Sequence, residues 1–261
     1  MLNVLKGLCT VVLAVMAGDL LHANVIGTPH SEFRQTYTLC PNGRVTIQNL
    51  YGDVSITAWD RDEVLVEATK RASDARRLDD ARIVVEPSSG TLSIHTQYTG
   101  ADAEHPASVE YRIMVPRNAT LEQIKLVNGG LSISGVAGPV KASTVNGSIT
   151  AEKLVGEAEL STVNGQLTAG FDRVSRSTSI SLSSVNGPIK LSIPNTSRAS
   201  VNARNLSGGI ASDFGHVSRG EGGHVLRTVV NRGGALIHLH NVNGGISIHS
   251  NWTSKSPRPC S

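Results

Sequence analysis

From residue 127 onward an apolar-x-Gly triplet recurs with strict spacing: Val127-Asn128-Gly129, Val136-Ala137-Gly138, Val145-Asn146-Gly147, Leu154-Val155-Gly156 and Val163-Asn164-Gly165. The triplets start nine residues apart. After each glycine the second and fourth residues are apolar or small, as in Leu131 and Ile133, Ile149 and Ala151, or Leu167 and Ala169, while their neighbours Ser132, Thr150, Glu152 and Thr168 are polar. This alternation has the period of a strand, so each nonapeptide predicts one short β-strand ending in a glycine corner. Strands of four residues with one polar face bury little alone and must stack on copies of themselves, the logic of a solenoid.

The closer likeness returns every second unit. Asn128, Asn146 and Asn164 share the Val-Asn-Gly corner, and the intervening corners carry Ala137 and Val155. One coil therefore spans about 18 residues with two main faces, and Asn-Gly suits a corner that needs positive φ. The rhythm loosens after Arg173 but returns at Val185-Asn186-Gly187, Leu206-Ser207-Gly208 and Val242-Asn243-Gly244. Residues 121–250 predict six or seven coils, a stack roughly 30 Å long at about 4.8 Å per coil. The expected structural corners are Asn128, Gly129, Asn146, Gly147, Asn164, Gly165, Asn186, Gly187, Asn243 and Gly244, with the stacked asparagines forming a side-chain ladder.

Residues 30–119 alternate without the nonapeptide. Strands are expected at Arg44–Gln48, Asp53–Trp59, Glu63–Lys70, Arg82–Glu86, Thr91–Tyr98 and Ser108–Val115, with one helical turn or two in Ser73–Ala81. The resulting organisation is a signal peptide over 1–23, a strand-rich capping region over 24–119 that covers the edge of the first coil, solenoid repeats over 120–251 and a tail over 252–261.

The signal reading rests on Lys6, the apolar stretch Leu8–Ala17 and Leu21-His22-Ala23 as a small-residue cleavage site. The apolar stretch is too short for a membrane span, and Asp19 interrupts its extension. Cys9 leaves with the leader, so Cys40 and Cys260 remain as a candidate disulfide in an oxidising compartment. Aromatic residues are only 3% of the chain, which argues for a thin aliphatic core and against ring stacking on sugars or single-stranded nucleic acid. The net charge of +3 is uneven: residues 120–261 hold 13 Lys/Arg against 7 Asp/Glu, scattered singly. Such spacing fits a solvated surface or weak contacts with an anionic partner.

The run Asn42-Gly43-Arg44-Val45-Thr46-Ile47-Gln48-Asn49-Leu50-Tyr51-Gly52-Asp53-Val54-Ser55-Ile56-Thr57-Ala58-Trp59-Asp60-Arg61-Asp62-Glu63-Val64, followed by the Val-Asn-Gly series, resembles the bacterial putative-adhesin domains of unknown function. The resemblance covers nearly all of the chain after the leader. It implies a β-solenoid or β-helix fold and an exported cell-envelope protein, and it brings no catalytic residues to transfer. Phe214–Asn231 departs most from the pattern.

Calcium β-rolls need Gly-Gly-x-Gly-x-Asp turns, and these corners carry Asn, Ala and Val instead. Sugar lyases on β-helices need convergent carboxylates; Glu152, Glu157 and Glu159 form the acidic cluster of the repeats, with a solvated face the simpler reading. Asp60-Arg61-Asp62-Glu63 reads as a turn between strands. His238, His240 and His249 are weak metal candidates, expected outward on one face, with His216 and His224 in the preceding Gly-rich loop.

No cofactor is expected. The reading is a non-catalytic exported cell-envelope scaffold or adhesin-like binding protein, whose flat faces meet an anionic polysaccharide, an envelope surface or another protein, with neither nucleic-acid binding nor a transmembrane segment. The alternatives are a polysaccharide-processing enzyme on a β-helix and a periplasmic ligand carrier with an apolar pocket. Location is expected in the periplasm, on the surface or in the medium.

Overall fold

A computed structural model describes residues 28–99, 107–216, 218–220 and 223–251. The expected signal peptide, Cys9, Cys260 and the tail lie outside the described residues. The chain forms a β-solenoid of two facing sheets, one of ten strands and one of eleven.

The first seven strands are β1 (His30–Thr38), β2 (Arg44–Tyr51), β3 (Val54–Trp59), β4 (Glu63–Arg71), β5 (Ala81–Ser88), β6 (Thr91–Tyr98) and β7 (Ser108–Pro116). A 3-10 helix spans Ala75–Asp80, capped by the Asp74 side chain, which accepts from Arg76 N. The regular stretch supplies β8 (Thr120–Asn128), β9 (Leu131–Ser134), β10 (Val140–Asn146), β11 (Ile149–Leu154), β12 (Ala158–Asn164), β13 (Leu167–Phe171), β14 (Ser179–Asn186) and β15 (Ile189–Pro194). The looser stretch supplies β16 (Ala199–Ser207), β17 (Ile210–Ser212), β18 (Ser218–Gly220), β19 (Gly223–Val230), β20 (Ala235–Asn243) and β21 (Ile246–Asn251).

Each coil contributes a strand to each sheet, and parallel neighbours are in register, so Ile149 sits on Leu131 and under Leu167, and Leu160 sits on Ala142 and under Leu182. These inward residues are buried along the whole stack. The interior is aliphatic and narrow, with Tyr111 and Phe171 its largest buried side chains.

The spatial order of the coils differs from their order in the chain. Counting along the stack, the coils are β6/β7, β2/β3, β8/β9, β10/β11, β12/β13, β14/β15, β20/β21 and β16/β17. The stack thus starts well before residue 120, inside the expected capping region: β2 pairs in parallel with β8, and β3 with β9, which makes Arg44–Trp59 the second coil. At the other end β20/β21 slots between β14/β15 and β16/β17. Antiparallel strands then close the ends, with β4 and β1 outside β7, β5 outside β6, and β19 and β18 outside β16. Pairing the outermost strands this way consumes backbone donors and acceptors that would otherwise invite another chain.

Candidate functional site

The corner that carries the chain from the eleven-stranded to the ten-stranded sheet is nearly identical in five coils. Asn146 Nδ2 donates to Asn128 Oδ1, Asn164 to Asn146, Asn186 to Asn164 and Asn243 to Asn186, all at 2.8–2.9 Å. The ladder asparagines are not in the left-handed region; among the described residues the positive-φ positions other than glycine are Lys153, Asn231 and Arg232. The corner glycines divide: Gly165, Gly187 and Gly244 have the expected positive φ, at 154°, 146° and 137°, whereas Gly129 and Gly147 do not. A Cβ on Gly147, whose φ is not in the left-handed range, would lie 1.9 Å from Gly129 O, and one on Gly165 2.2 Å from Gly147 O. Close backbone approach between stacked corners excludes a side chain there.

Two parallel columns flank this ladder. On the outside, Leu50, Val127, Val145, Val163, Val185, Val242 and Leu206 precede the corner residue in seven successive coils. Val145, Val163 and Val185 are 40%, 39% and 38% exposed, and Leu50 and Leu206 more so. They form an apolar ridge about 29 Å long at about 4.8 Å per step. On the inside, two residues before each corner, stand Asn49, Leu126, Thr144, Thr162, Ser184, Asn241 and Asn205, in register from strand to strand. Thr144 Oγ1 donates to Gly129 O at 3.1 Å and Thr162 Oγ1 to Gly147 O at 2.9 Å, tying each corner to the one before. Sequence reasoning missed this inner column. Extending the inward alternation from Ala142 to Thr144, and from Leu160 to Thr162, would have found it.

At one end the column becomes a buried polar knot. Asn49 Nδ2 donates to Tyr51 O, Gly52 O and Val109 O, its Oδ1 accepts from Thr96 Oγ1, and Thr96 Oγ1 lies 2.7 Å from Tyr111 Oη. Burial pushes the Tyr111 phenol up to about 12, because desolvation disfavours the phenolate. Burial raises Tyr98 as well. At the other end Asn205 Nδ2 donates to Gly209 O and Gly244 O, but Ser184 Oγ, Asn205 Oδ1 and both amide atoms of Asn241 are buried without a hydrogen-bond partner.

The other residues singled out from sequence do not converge. His238 and His240 are exposed on β20 of the eleven-stranded sheet, whereas His249 lies on β21 of the ten-stranded sheet, 3.8 Å from Asp213. The expectation of three imidazoles on one face is therefore wrong: the Asn243-Gly244 corner lies between them and reverses which side faces outward. Among the described residues no group of three or more His, Cys, Asp or Glu is placed to hold a metal. Glu152 and Glu159 are exposed on opposite sheets, and Glu159 pairs with Lys141 at 2.8 Å. Asp60 forms a 2.9 Å ion pair with Arg117 that holds its carboxyl below the usual range, and Arg61 stacks 4.9 Å over Trp59. His216 is exposed and His224 half-buried on β19. Cys40 is exposed at the turn before β2 and has no disulfide partner among the described residues.

A family model described as Toastrack DUF4097 matches residues 42–249. No curated protein matches the chain. Among solved structures, a putative cell adhesion protein from Clostridium sporogenes ATCC 15579 aligns with a TM-score of 0.52 at 11% identity, covering 85% of this chain and 100% of the other. A putative adhesin from Bacteroides fragilis NCTC 9343 aligns at 10% identity over 85% and 97% of the two chains, with a TM-score of 0.36. The first of these likenesses supports the solenoid fold.

Proposed function

Since the chain belongs to the Toastrack DUF4097 family, we propose that it is a non-catalytic, exported, adhesin-like scaffold of the cell envelope that presents a flat repetitive face to a polysaccharide, an envelope surface or another protein. The observation that carries this reading is the pairing of the asparagine ladder with the valine ridge. Asn146, Asn164, Asn186 and Asn243 each spend one N–H on the neighbouring rung and retain a second donor. The result is a straight row of polar groups beside a straight row of apolar ones, both at the strand spacing, on a rigid support. Many weak, evenly spaced contacts suit a repetitive partner better than a single compact ligand. The solved neighbours named for adhesion are consistent with this use of the fold. Among the described residues no helix is long and apolar enough to cross a membrane.

The test is retention of purified cell envelopes and a panel of polysaccharides on the immobilised protein, scored together with release of soluble products. The triple variant Val145→Ser, Val163→Ser, Val185→Ser is expected to lose retention while keeping its fold. Contacts through single surface charges add a salt-sensitive part, screened over roughly 8 Å at physiological ionic strength. Retention that survives the triple variant would move the binding surface elsewhere. Product release abolished by Glu152→Gln or Glu159→Gln would replace the scaffold with an enzyme.

A further inference from the structure

The antiparallel closing strands carry the open sheet edges outward rather than abolish them. Among the described residues the ten-stranded sheet ends on β1 and β17, and the eleven-stranded sheet on β18 and β5. Three of these ends are blunted. β17 and β18 have three residues each. In β5, Thr99 N donates to Asp80 O, so the even residues bond to β6 and the odd ones face outward, among them Pro87, which has no N–H to offer. β1 has nine residues and neither proline nor glycine.

The ladder fixes which groups β1 leaves free. Ala72 N donates to Pro29 O and Leu39 N to Asp62 O, each at 3.2 Å, and between them the register joins Phe33 to Ala68. Hydrogen-bonded pairs alternate along an antiparallel ladder, so the odd residues of β1 bond to β4, while His30, Glu32, Arg34, Thr36 and Thr38 turn their N–H and C=O groups to the free edge. All of these even residues are exposed. Phe33 and Tyr37 face inward, half-buried opposite the buried Ala68 and Val64.

We propose that β1 is a dimerisation edge, on which a second copy of this chain pairs its own β1 antiparallel across a two-fold axis at Phe33. Either copy offers only its even residues. Centring the pair on Arg34 or on Glu32 sets like charges directly opposite each other, and centring it on Gln35 leaves both charges facing threonine. Centring on Phe33 places Glu32 opposite the partner's Arg34 and Arg34 opposite the partner's Glu32. It also sets Phe33 beside the partner's Phe33 at a non-hydrogen-bonded position, where side chains come closest. His30 and Thr36 complete the pairing, so that about eight backbone hydrogen bonds join the two edges, two for each pair of even residues. Arg34 lies 3.3 Å from Glu67 of its own chain, and its guanidinium fork has donors left for a second carboxylate.

The end of the molecule has the shape this pairing needs. The ten-stranded sheet runs two strands past β7, whereas the eleven-stranded sheet runs one past β6. β1 therefore overhangs by one strand, about 4.8 Å, and roofs a cavity of about 330 Å³ lined by Phe33, Lys70, Asp79 and Ile83. Two copies can join along β1 while each β5 stays clear of its counterpart. A two-fold axis normal to the sheet keeps both ten-stranded outer faces on one side, giving a continuous face about twice as long. The pairing does not depend on what that face binds.

The experiment uses the protein recovered from expression of the full chain. Sedimentation velocity over a wide concentration range is expected to show a monomer–dimer equilibrium. Glu32→Arg alone and Arg34→Glu alone are each expected to weaken the dimer about tenfold, because either reversal turns two attractive cross-strand pairs into repulsive ones. An equimolar mixture of the two variants is expected to restore it, every arginine then facing a glutamate. In the unsubstituted chain, amide exchange at Glu32, Arg34 and Thr36 is expected to slow several-fold as concentration rises. A monomer at every concentration overturns the proposal and leaves the edge to a strand of another protein. Exchange at these amides that ignores concentration also overturns it, as does a mixture that fails to dimerise although circular dichroism shows both variants folded.

Discussion

Asn49 and Asn241 occupy the same inward position of the same sheet, each two residues before its corner, yet their surroundings are opposite. Asn49 donates to three carbonyls and accepts from Thr96, whereas Asn241 is fully buried and makes no hydrogen bond with either amide atom. The neighbours explain the difference. Beside Asn49 the outer coil brings Val109, Thr96 and Tyr111 within reach, while Asn241 is stacked between Ser184 and Asn205. Asn205 has already turned its own donor to Gly209 O and Gly244 O. A buried amide is thus stabilising in one coil and a desolvation cost in another.

The comparison breaks first at its stronger pole. Asn49→Leu leaves three carbonyls, that of Val109 in a buried contact, without their donor and removes the acceptor of Thr96 Oγ1, and is expected to destabilise by about 3–5 kcal/mol in urea titrations. A loss under about 1 kcal/mol would show that the knot is merely decorative. Next comes Thr162→Val, which keeps the shape but removes the donor to Gly147 O; a loss of about 1–2 kcal/mol is expected, read as a shifted denaturation midpoint at constant slope.

Tyr111→Phe removes a single bond to Thr96 and is expected to cost about 1 kcal/mol at neutral pH. Its larger signature is alkaline. The folded phenol ionises above its unfolded value of 10.0, so stability is intact below pH 10 and drains away as pH rises toward about 12. The variant should lose part of that dependence, with Tyr98 supplying the remainder. The smallest effect belongs to the other pole: Asn241→Leu removes only unpartnered polar atoms and is expected to change stability by less than about 1 kcal/mol in either direction. A cost like that of Asn49 would mean the two positions are equivalent after all.

Much of this molecule was legible as text. The nine-residue triplets located the strands from Leu131 to Phe171, and the recurrence of Asn128, Asn146 and Asn164 every 18 residues anticipated which side chains stack. Two things were not legible. The first is the order of the coils, because in-register parallel pairing asks only for inward aliphatics, and Ile237/Leu239 fit beside Ile180/Leu182 as well as Val201/Ala203 would. The second is what the inner column does. Thr144 and Thr162 read as ordinary strand threonines until the carbonyls of Gly129 and Gly147 are placed beneath them. The histidines misled for a related reason: alternation tells outward from inward but not which of two outward sides, and the corner at Gly244 decides that.

The out-of-order ends have a mechanical consequence. A simple stack of repeats frays from its termini, each repeat peeling off at the expense of one interface. Here the outermost coils are internal to the chain, while the last described strands, β20 and β21, are clamped between neighbours on both sides. Pulling the chain from its C-terminal end must withdraw a coil from within the stack, breaking two interfaces in each sheet at once and stranding the terminal coil. Unravelling from that end therefore has no inexpensive first step, and resistance to force applied there should exceed what the same number of coils threaded in sequence would offer.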